Sequence, residues 1–304
     1  DKLLDRIKEH TKELHPYLKR KIFFSHRDLN WILDEYEKGN KFFLYTGRGP
    51  SEKVHVGHLT VWRFTKWLQD KFGAEVWFQM TDDEKFLFKP DLTIEDTNRL
   101  AYENALDVIA LGFDPKKTFI FSDIDYSKTL YKQALKVAKK LTFSNVKATF
   151  GFKEDNNVGQ IFFTSMQSVP CFLPSIIKNK NTPCLIPLAI DQDAHFRISR
   201  DILPKLGYYK PALLHQRFLP SLAGTGKMSA SEGVTIFTTD SPQEVTNKIK
   251  KYSFSGGRDT IEEHRKKGGN PDIDISYQWL TFFEDDDNKL KVIYYDYLSG
   301  KLLS

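Results

Sequence analysis

The chain has 304 residues, 40% of them hydrophobic and 28% charged, which is the composition of a globular protein with one large or two smaller domains and a sizeable core. Lysine and arginine number 45 against 40 aspartates and glutamates, a net charge of 45 − 40 = +5 that tolerates a polyanion without announcing one. Two scattered cysteines, Cys171 and Cys184, exclude a disulfide scaffold or a zinc site and point to a reducing compartment, and no apolar run of roughly 18 residues offers a membrane span.

The 24 phenylalanines and 13 tyrosines are read as an aromatic core. The chain opens on Asp1 without a methionine, so a preceding segment is expected. Residues 1–41 read as a helical and basic extension. Within it, a helix over 1–20 breaks at Pro16, and Lys19-Arg20-Lys21 leads to the apolar Ile22-Phe23-Phe24. A second helix is predicted through Leu29, Trp31, Ile32 and Tyr36, with Ser25 and Asp28 as a capping box and Gly39 as its stop.

Phe42 to Thr46 is a short apolar run that ends at Gly47, the pattern of a buried strand entering a turn. A helix over 56–72 and a strand over 75–81 follow. Helices at about 93–111 and 127–141 flank a strand at 118–121; a buried strand at 183–190 precedes a helix at 195–206. Strands alternating with helices predict an α/β fold with a doubly wound, largely parallel sheet. The expected catalytic domain is 42–240, with an insertion at about 90–180, and the charged helical stretch 241–304 is expected to be a smaller, incomplete C-terminal domain.

In such sheets ligands bind at the carboxyl ends of the strands, where the strand order reverses. Here the first strand of the predicted sheet ends in Tyr45-Thr-Gly-Arg-Gly-Pro-Ser51, and His55-Val-Gly-His58 opens the next helix. Glycines let the backbone approach a ligand, and a helix start offers unpaired N–H groups to a phosphate. His55 and His58, three apart, share a face, and Gly57 is expected to leave room for a flat base between them. The second signal is Lys227-Met-Ser-Ala-Ser231, set among Gly224, Gly226 and Gly233 in a predicted mobile loop. A lysine there can close over phosphates as a nucleotidyl centre reacts. Either motif alone also fits an incidental histidine pair or a lysine in a polar loop.

Together and in this order the motifs make the chain resemble the class I aminoacyl-tRNA synthetases. Gly47-Arg-Gly-Pro-Ser51, Thr81-Asp-Asp-Glu-Lys85, Ala189-Ile-Asp-Gln-Asp193, Lys210-Pro-Ala-Leu-Leu-His215 and Phe254-Ser-Gly-Gly-Arg-Asp-Thr260 narrow the resemblance to the eukaryotic tryptophan-specific branch, from about Phe23 to Leu298. The resemblance implies ATP-driven activation of L-tryptophan to its adenylate, then transfer to the 3′ end of tRNA(Trp). Positioning and charge stabilisation at the phosphorus would do the work, without a side-chain nucleophile.

The same resemblance implies that Tyr45 and Gln192 read the indole and that Gln79, Glu84 and Gln167 surround the tryptophan amino group and the adenylate. It implies an ATP cradle of Thr46, Gly47, Arg48, His55, Gly57 and His58. It places Lys227, Met228 and Ser229 on the closing loop, with His55, His58, Lys227 and Ser229 catalytic. Mg²⁺ is expected with ATP, carried by the phosphates rather than by a protein metal site. Asp82, Asp83 and the acidic run 284–287 are read as turn and surface residues. A homodimer is implied, with the 90–180 insertion as its interface; no membrane partner is expected. Against the family pattern the chain is short by about one residue at 50–53, by several at 125–129, and by about one each at 222–227 and 231–236. The tyrosine-specific sister enzymes, other nucleotidyltransferases with the same histidine motif, and a non-catalytic module are the alternatives.

Overall fold

The computed structural model describes residues 2–224, 226–228 and 234–303. Its contacts divide the chain into two compact units. One comprises Asp1–Leu14, Phe24–Glu52 and Val61–Gln216; the other comprises His15–Phe23, Lys53–Thr60 and Arg217–Ser304.

The sheet contains β1 (Phe23–Arg27), β2 (Phe43–Arg48), β3 (Glu75–Met80), β4 (Thr118–Ser122), β5 (Cys184–Ala189) and β6 (Ala212–Gln216), in the spatial order β1-β6-β5-β2-β3-β4. The pairs β2–β3, β3–β4, β2–β5 and β5–β6 are parallel, as the alternation of strands and helices predicts. β2, β3, β5 and β6 carry near-continuous runs of buried residues instead of alternating ones, because helices cover both faces of a parallel sheet. Phe43, Tyr45, Trp77, Phe163, Phe172, Leu173, Ile186, Leu188, Phe196 and Leu213 belong to one contiguous core. Phenylalanine and tyrosine do fill it, as the composition suggests.

The helices Val56–Phe72, Ile94–Ala110 and Ser127–Ala138 lie near their predicted places. Thr93 and Asp96 close a capping box on the second of these. The helix Asp193–Ile202 gives way to a 3₁₀ turn at Leu203–Leu206, where Pro204 removes a backbone donor.

The expected cap at Ser25 is overturned. Ser25 lies inside β1, and the N-cap of the helix Leu29–Glu37 is Asp28, which sits in the left-handed region at φ 57° without a side-chain capping bond. The expectation that Asp82 and Asp83 are solvated turn residues is overturned as well. Asp82 is fully buried at the start of the helix Asp82–Phe88, and Asp83 is half-buried behind it. Asp82 accepts hydrogen bonds from Asn98, the Ser122 hydroxyl and the Ile124 amide. A buried carboxylate needs such partners.

In the second unit the helices Ile275–Phe283 and Asp287–Leu298 bury Trp279, Phe282, Leu290 and Tyr297, the short helix Pro16–Lys19 buries Tyr17, and the helices Pro242–Tyr252 and Ile261–Lys267 complete the set. Tyr17 meets Phe282 edge-on at 6.0 Å between ring centroids. Arg20, from the basic Lys19-Arg20-Lys21 run, donates to the Thr281 and Glu284 carbonyls and to Asp287, so it satisfies the carboxyl end of a helix. No described helix is long and apolar enough to cross a membrane.

Candidate active site

The sheet changes direction at β2. The chain runs β2, β3, β4 to one side, then returns to place β5 and β6 on the other. Register locates the opening this creates. β2 pairs with β3 along its whole length to Arg48↔Met80, but with β5 only at Phe43↔Cys184 and Leu44↔Leu185. Beyond those two pairs the strands part, and a crevice begins at Tyr45. This is the switch point where parallel sheets bind ligands.

Tyr45 is buried at the mouth of that crevice, its ring edge-on to Phe196 at 5.7 Å. Its hydroxyl donates to Gln79 Oε1 at 2.5 Å and accepts from Gln167 Nε2 at 2.9 Å. Gln79 is fully buried on β3, and its Nε2 donates to both Asp123 carboxyl oxygens, at 2.9 and 2.7 Å. The structure therefore brings Tyr45, Gln79 and Gln167 into one hydrogen-bonded group. Gln192 stands apart from it, exposed at the end of a 3₁₀ turn and capping the helix that carries Phe196. It lies one helical turn before Phe196, on the side of that helix that meets Tyr45.

Gly47 faces Gln79 across β2–β3, and a Cβ there would lie 2.9 Å from the Gln79 carbonyl oxygen. Only glycine fits without shifting a strand, and its absent side chain leaves that sheet surface open. Thr46 is buried beside it. Arg48 is buried too: its Nε donates to Asn104 Oδ1 at 2.7 Å, and its guanidinium lies 6.0 Å from the Trp62 ring centre. Burial pulls the Arg48 guanidinium down to about 10. Asn104 also bonds the Ser51 amide and carbonyl, so this network shapes the 49–51 turn.

Glu84 accepts from the Thr81 hydroxyl at 2.6 Å. It keeps some accessible surface, yet the protein packed around it pushes its carboxyl above the ordinary range. A ligand ammonium would favour its charged form. Burial likewise raises the Asp83 carboxyl to about 6, and it raises Asp123 further, with the neighbouring Asp83 charge adding to the effect. Sequence reasoning passed over Asp123. Its signal was positional: it directly follows β4, at the carboxyl edge of the sheet where ligands bind.

In the second unit, His55 bridges Phe237, and Val54 and Val56 bond to the backbone of Thr238 and Ile236. His55 and His58 do share a face, but their rings are only 3.7 Å apart between centroids, tilted by 40°. That corrects the expectation of a base held between them. Gly57 instead makes room for the His55 ring, since a Cβ there would sit 2.9 Å from His55 Nδ1 and 3.8 Å from Met228 Cβ. Lys227 is exposed, with its ammonium 5.1 Å from the Phe218 ring centre, and Met228 is buried with its amide bonded to the Leu219 carbonyl. The apolar residue anchors the segment and the charged one projects. Ser229 lies outside the described residues. No group of three metal-binding side chains occurs among the described residues.

The profile of the tRNA synthetases class I (W and Y) matches residues 37–302. The tryptophan–tRNA ligase of Sulfurisphaera tokodaii is 52% identical, over all of this chain and 80% of its own length. That alignment spans 311 positions against 304 residues, so the relative carries residues that this chain lacks. The human cytoplasmic tryptophan–tRNA ligase is 52% identical over 99% of this chain and 66% of its own. A crystal structure of the Plasmodium falciparum tryptophanyl-tRNA synthetase superposes with a TM-score of 0.93 at 44% identity, covering 100% of this chain and 83% of that one.

Proposed function

The chain belongs to the class I tRNA synthetases for tryptophan and tyrosine, and from that premise we infer that it is a tryptophan–tRNA ligase. It activates tryptophan with ATP and transfers it to tRNA(Trp). The observation that carries the choice of amino acid is the hydrogen-bonded group Tyr45–Gln79–Gln167 at the open end of β2. An indole N–H is a donor only. The Tyr45 oxygen, whose own proton goes to Gln79, accepts from it, with Gln192 as the second acceptor. Glu84 and Gln167 take the ammonium.

The tryptophan carboxylate then attacks the α-phosphorus of ATP and pyrophosphate leaves. Thr46, Gly47, His55, Gly57 and His58 cradle the nucleotide, Arg48 shapes the turn beside it, and Lys227, Met228 and Ser229 close over the phosphates. The exposed ammonium of Lys227 supports this role. Mg²⁺ enters with ATP on the phosphate oxygens. Residues 241–304 serve as the anticodon-binding region, and 42–240 as the catalytic domain. ATP–pyrophosphate exchange run with tryptophan and tyrosine in parallel tests the assignment; exchange driven by tyrosine alone overturns it.

Assembly as a homodimer rests on the helix Ile94–Ala110. Its Tyr102, Leu106 and Ile109 are 63%, 65% and 60% exposed at spacings of four and three, one apolar stripe facing outward. Tyr131 and Leu135 extend such a stripe on the helix Ser127–Ala138. An obligate interface would bury more than about 2,000 Å² in total. Light scattering should give a dimer, and Leu106→Asp should give monomers; a stable wild-type monomer at micromolar concentration removes the proposal. The cytoplasm is the compartment we assign, on likeness to the human cytoplasmic relative and on two buried free thiols.

A further inference from the structure

A buried carboxyl group, Asp123, lies behind the proposed indole reader and has no part in the reaction as described. Asp123, fully buried, accepts from Gln79 Nε2 through both oxygens. Gln79 Oε1 accepts from the Tyr45 hydroxyl, and the Tyr45 oxygen accepts from Gln167 Nε2.

Each link has one direction. Gln79 is fully buried between Asp123 and Tyr45, so the partners at the two ends of its amide decide which end points where. Both Asp123 oxygens face the Gln79 amide and accept from it, which fixes that amide with NH₂ toward Asp123 and C=O toward Tyr45. A carbonyl cannot donate, so the Tyr45 proton must point inward. The Tyr45 oxygen is left with lone pairs alone on its outer side. Gln167 must meet it with NH₂, which turns the Gln167 carbonyl away from Tyr45.

We propose that Asp123 is a positioning residue for amino-acid selection, acting through Gln79 to hold Tyr45 as an obligatory acceptor, so that the pocket favours an amino acid whose ring N–H can only donate. The proposal rests on the reading of Tyr45 as the indole contact. It extends that reading by naming what sets the direction of the bond. A phenol, which donates and also needs a donor for its own oxygen, finds none from Tyr45. A ring with sulfur in place of N–H offers the Tyr45 oxygen no donor on its outer side, so that hydrogen bond is lost.

The test compares tryptophan with β-(3-benzothienyl)alanine, which has the same shape and sulfur at the N–H position, in ATP–pyrophosphate exchange. Wild type should prefer tryptophan by roughly 10- to 100-fold in kcat/KM, the worth of one buried hydrogen bond. Asp123→Leu and, independently, Gln79→Met should reduce that preference to less than about threefold while the KM for ATP stays constant. Melting curves establish that each variant is folded, and a ratio of two substrates does not move with the fraction of active enzyme. A wild type without tryptophan-dependent exchange refutes the function itself. A wild type that uses both amino acids equally refutes the Tyr45 reading. A wild-type preference that survives in both Asp123→Leu and Gln79→Met overturns the relay alone.

Discussion

Replacing Tyr45 by phenylalanine removes one oxygen and leaves the ring contact with Phe196 at 5.7 Å in place. Two consequences can be measured separately. The first concerns the fold. Gln79 Oε1 loses its donor in a position with no access to water, since Gln79 is fully buried. An acceptor stranded in this way costs about 1–3 kcal/mol, whereas the half-exposed Gln167 recovers most of its lost bond from solvent. For a protein of this size the melting temperature should fall by about 2–10 °C. The second consequence concerns the substrate. If the indole N–H donates to the Tyr45 oxygen, losing that acceptor costs a further 1–3 kcal/mol or about 5- to 150-fold in the KM for tryptophan. The KM for ATP should be unchanged. Differential scanning fluorimetry reads the first effect and tryptophan-dependent exchange the second. A lowered melting temperature with wild-type tryptophan kinetics would show that Tyr45 holds Gln79 but does not read the indole, and the assignment of the pocket would fail.

Lys227→Ala should slow adenylate formation by about 10²–10³-fold, the usual loss of one preorganised transition-state contact, with little change in tryptophan binding; single-turnover adenylate formation measures it, and an unchanged rate sinks the role. Gly57→Ala places a methyl 2.9 Å from His55 Nδ1, so the His55 ring must shift; the KM for ATP should rise at least about tenfold, measured at saturating tryptophan, with the tryptophan KM unaffected. Asp193 is held by Arg27 through bonds of 2.8 and 2.9 Å and by His215 at 2.9 Å, and these hold its carboxyl below the usual range. A depressed carboxyl adds stability above its unfolded value near 3.8 and loses it as pH falls through the lower folded value. Asp193→Asn should therefore destabilise by about 1–3 kcal/mol at neutral pH, and its difference from wild type should shrink below pH 3.8 and vanish only once the pH has fallen through the lower folded value, in urea titrations followed by circular dichroism.

What the sequence made legible follows a physical divide. The inner strands could be read because both their faces are buried, and a continuous apolar run is a local signal. Gly47 and Gly57 could be read because a backbone that must approach something closely demands a residue without a side chain. β1 was not legible as a strand. It is the outermost strand beside β6, and its polar residues mimic a helix cap. Their true partners are remote: Ser25 bonds His215, and Arg27 bonds Asp193. The same reason hid Asp82, whose partners come from Asn98, Ser122 and Ile124, and Asp123, whose partner Gln79 lies a strand away. An acidic residue in a turn and an acidic residue locked into a relay look alike along the chain. Strand order is what separates them. Once β3 and β4 are parallel neighbours with Gln79 opposite Phe121 and Met80 opposite Ser122, the residue after Ser122 falls at the end of β3, within reach of the Gln79 side chain. The direction of the Tyr45 hydroxyl is thus a consequence of sheet topology, carried to the crevice by two strands that share no local sequence signal with it.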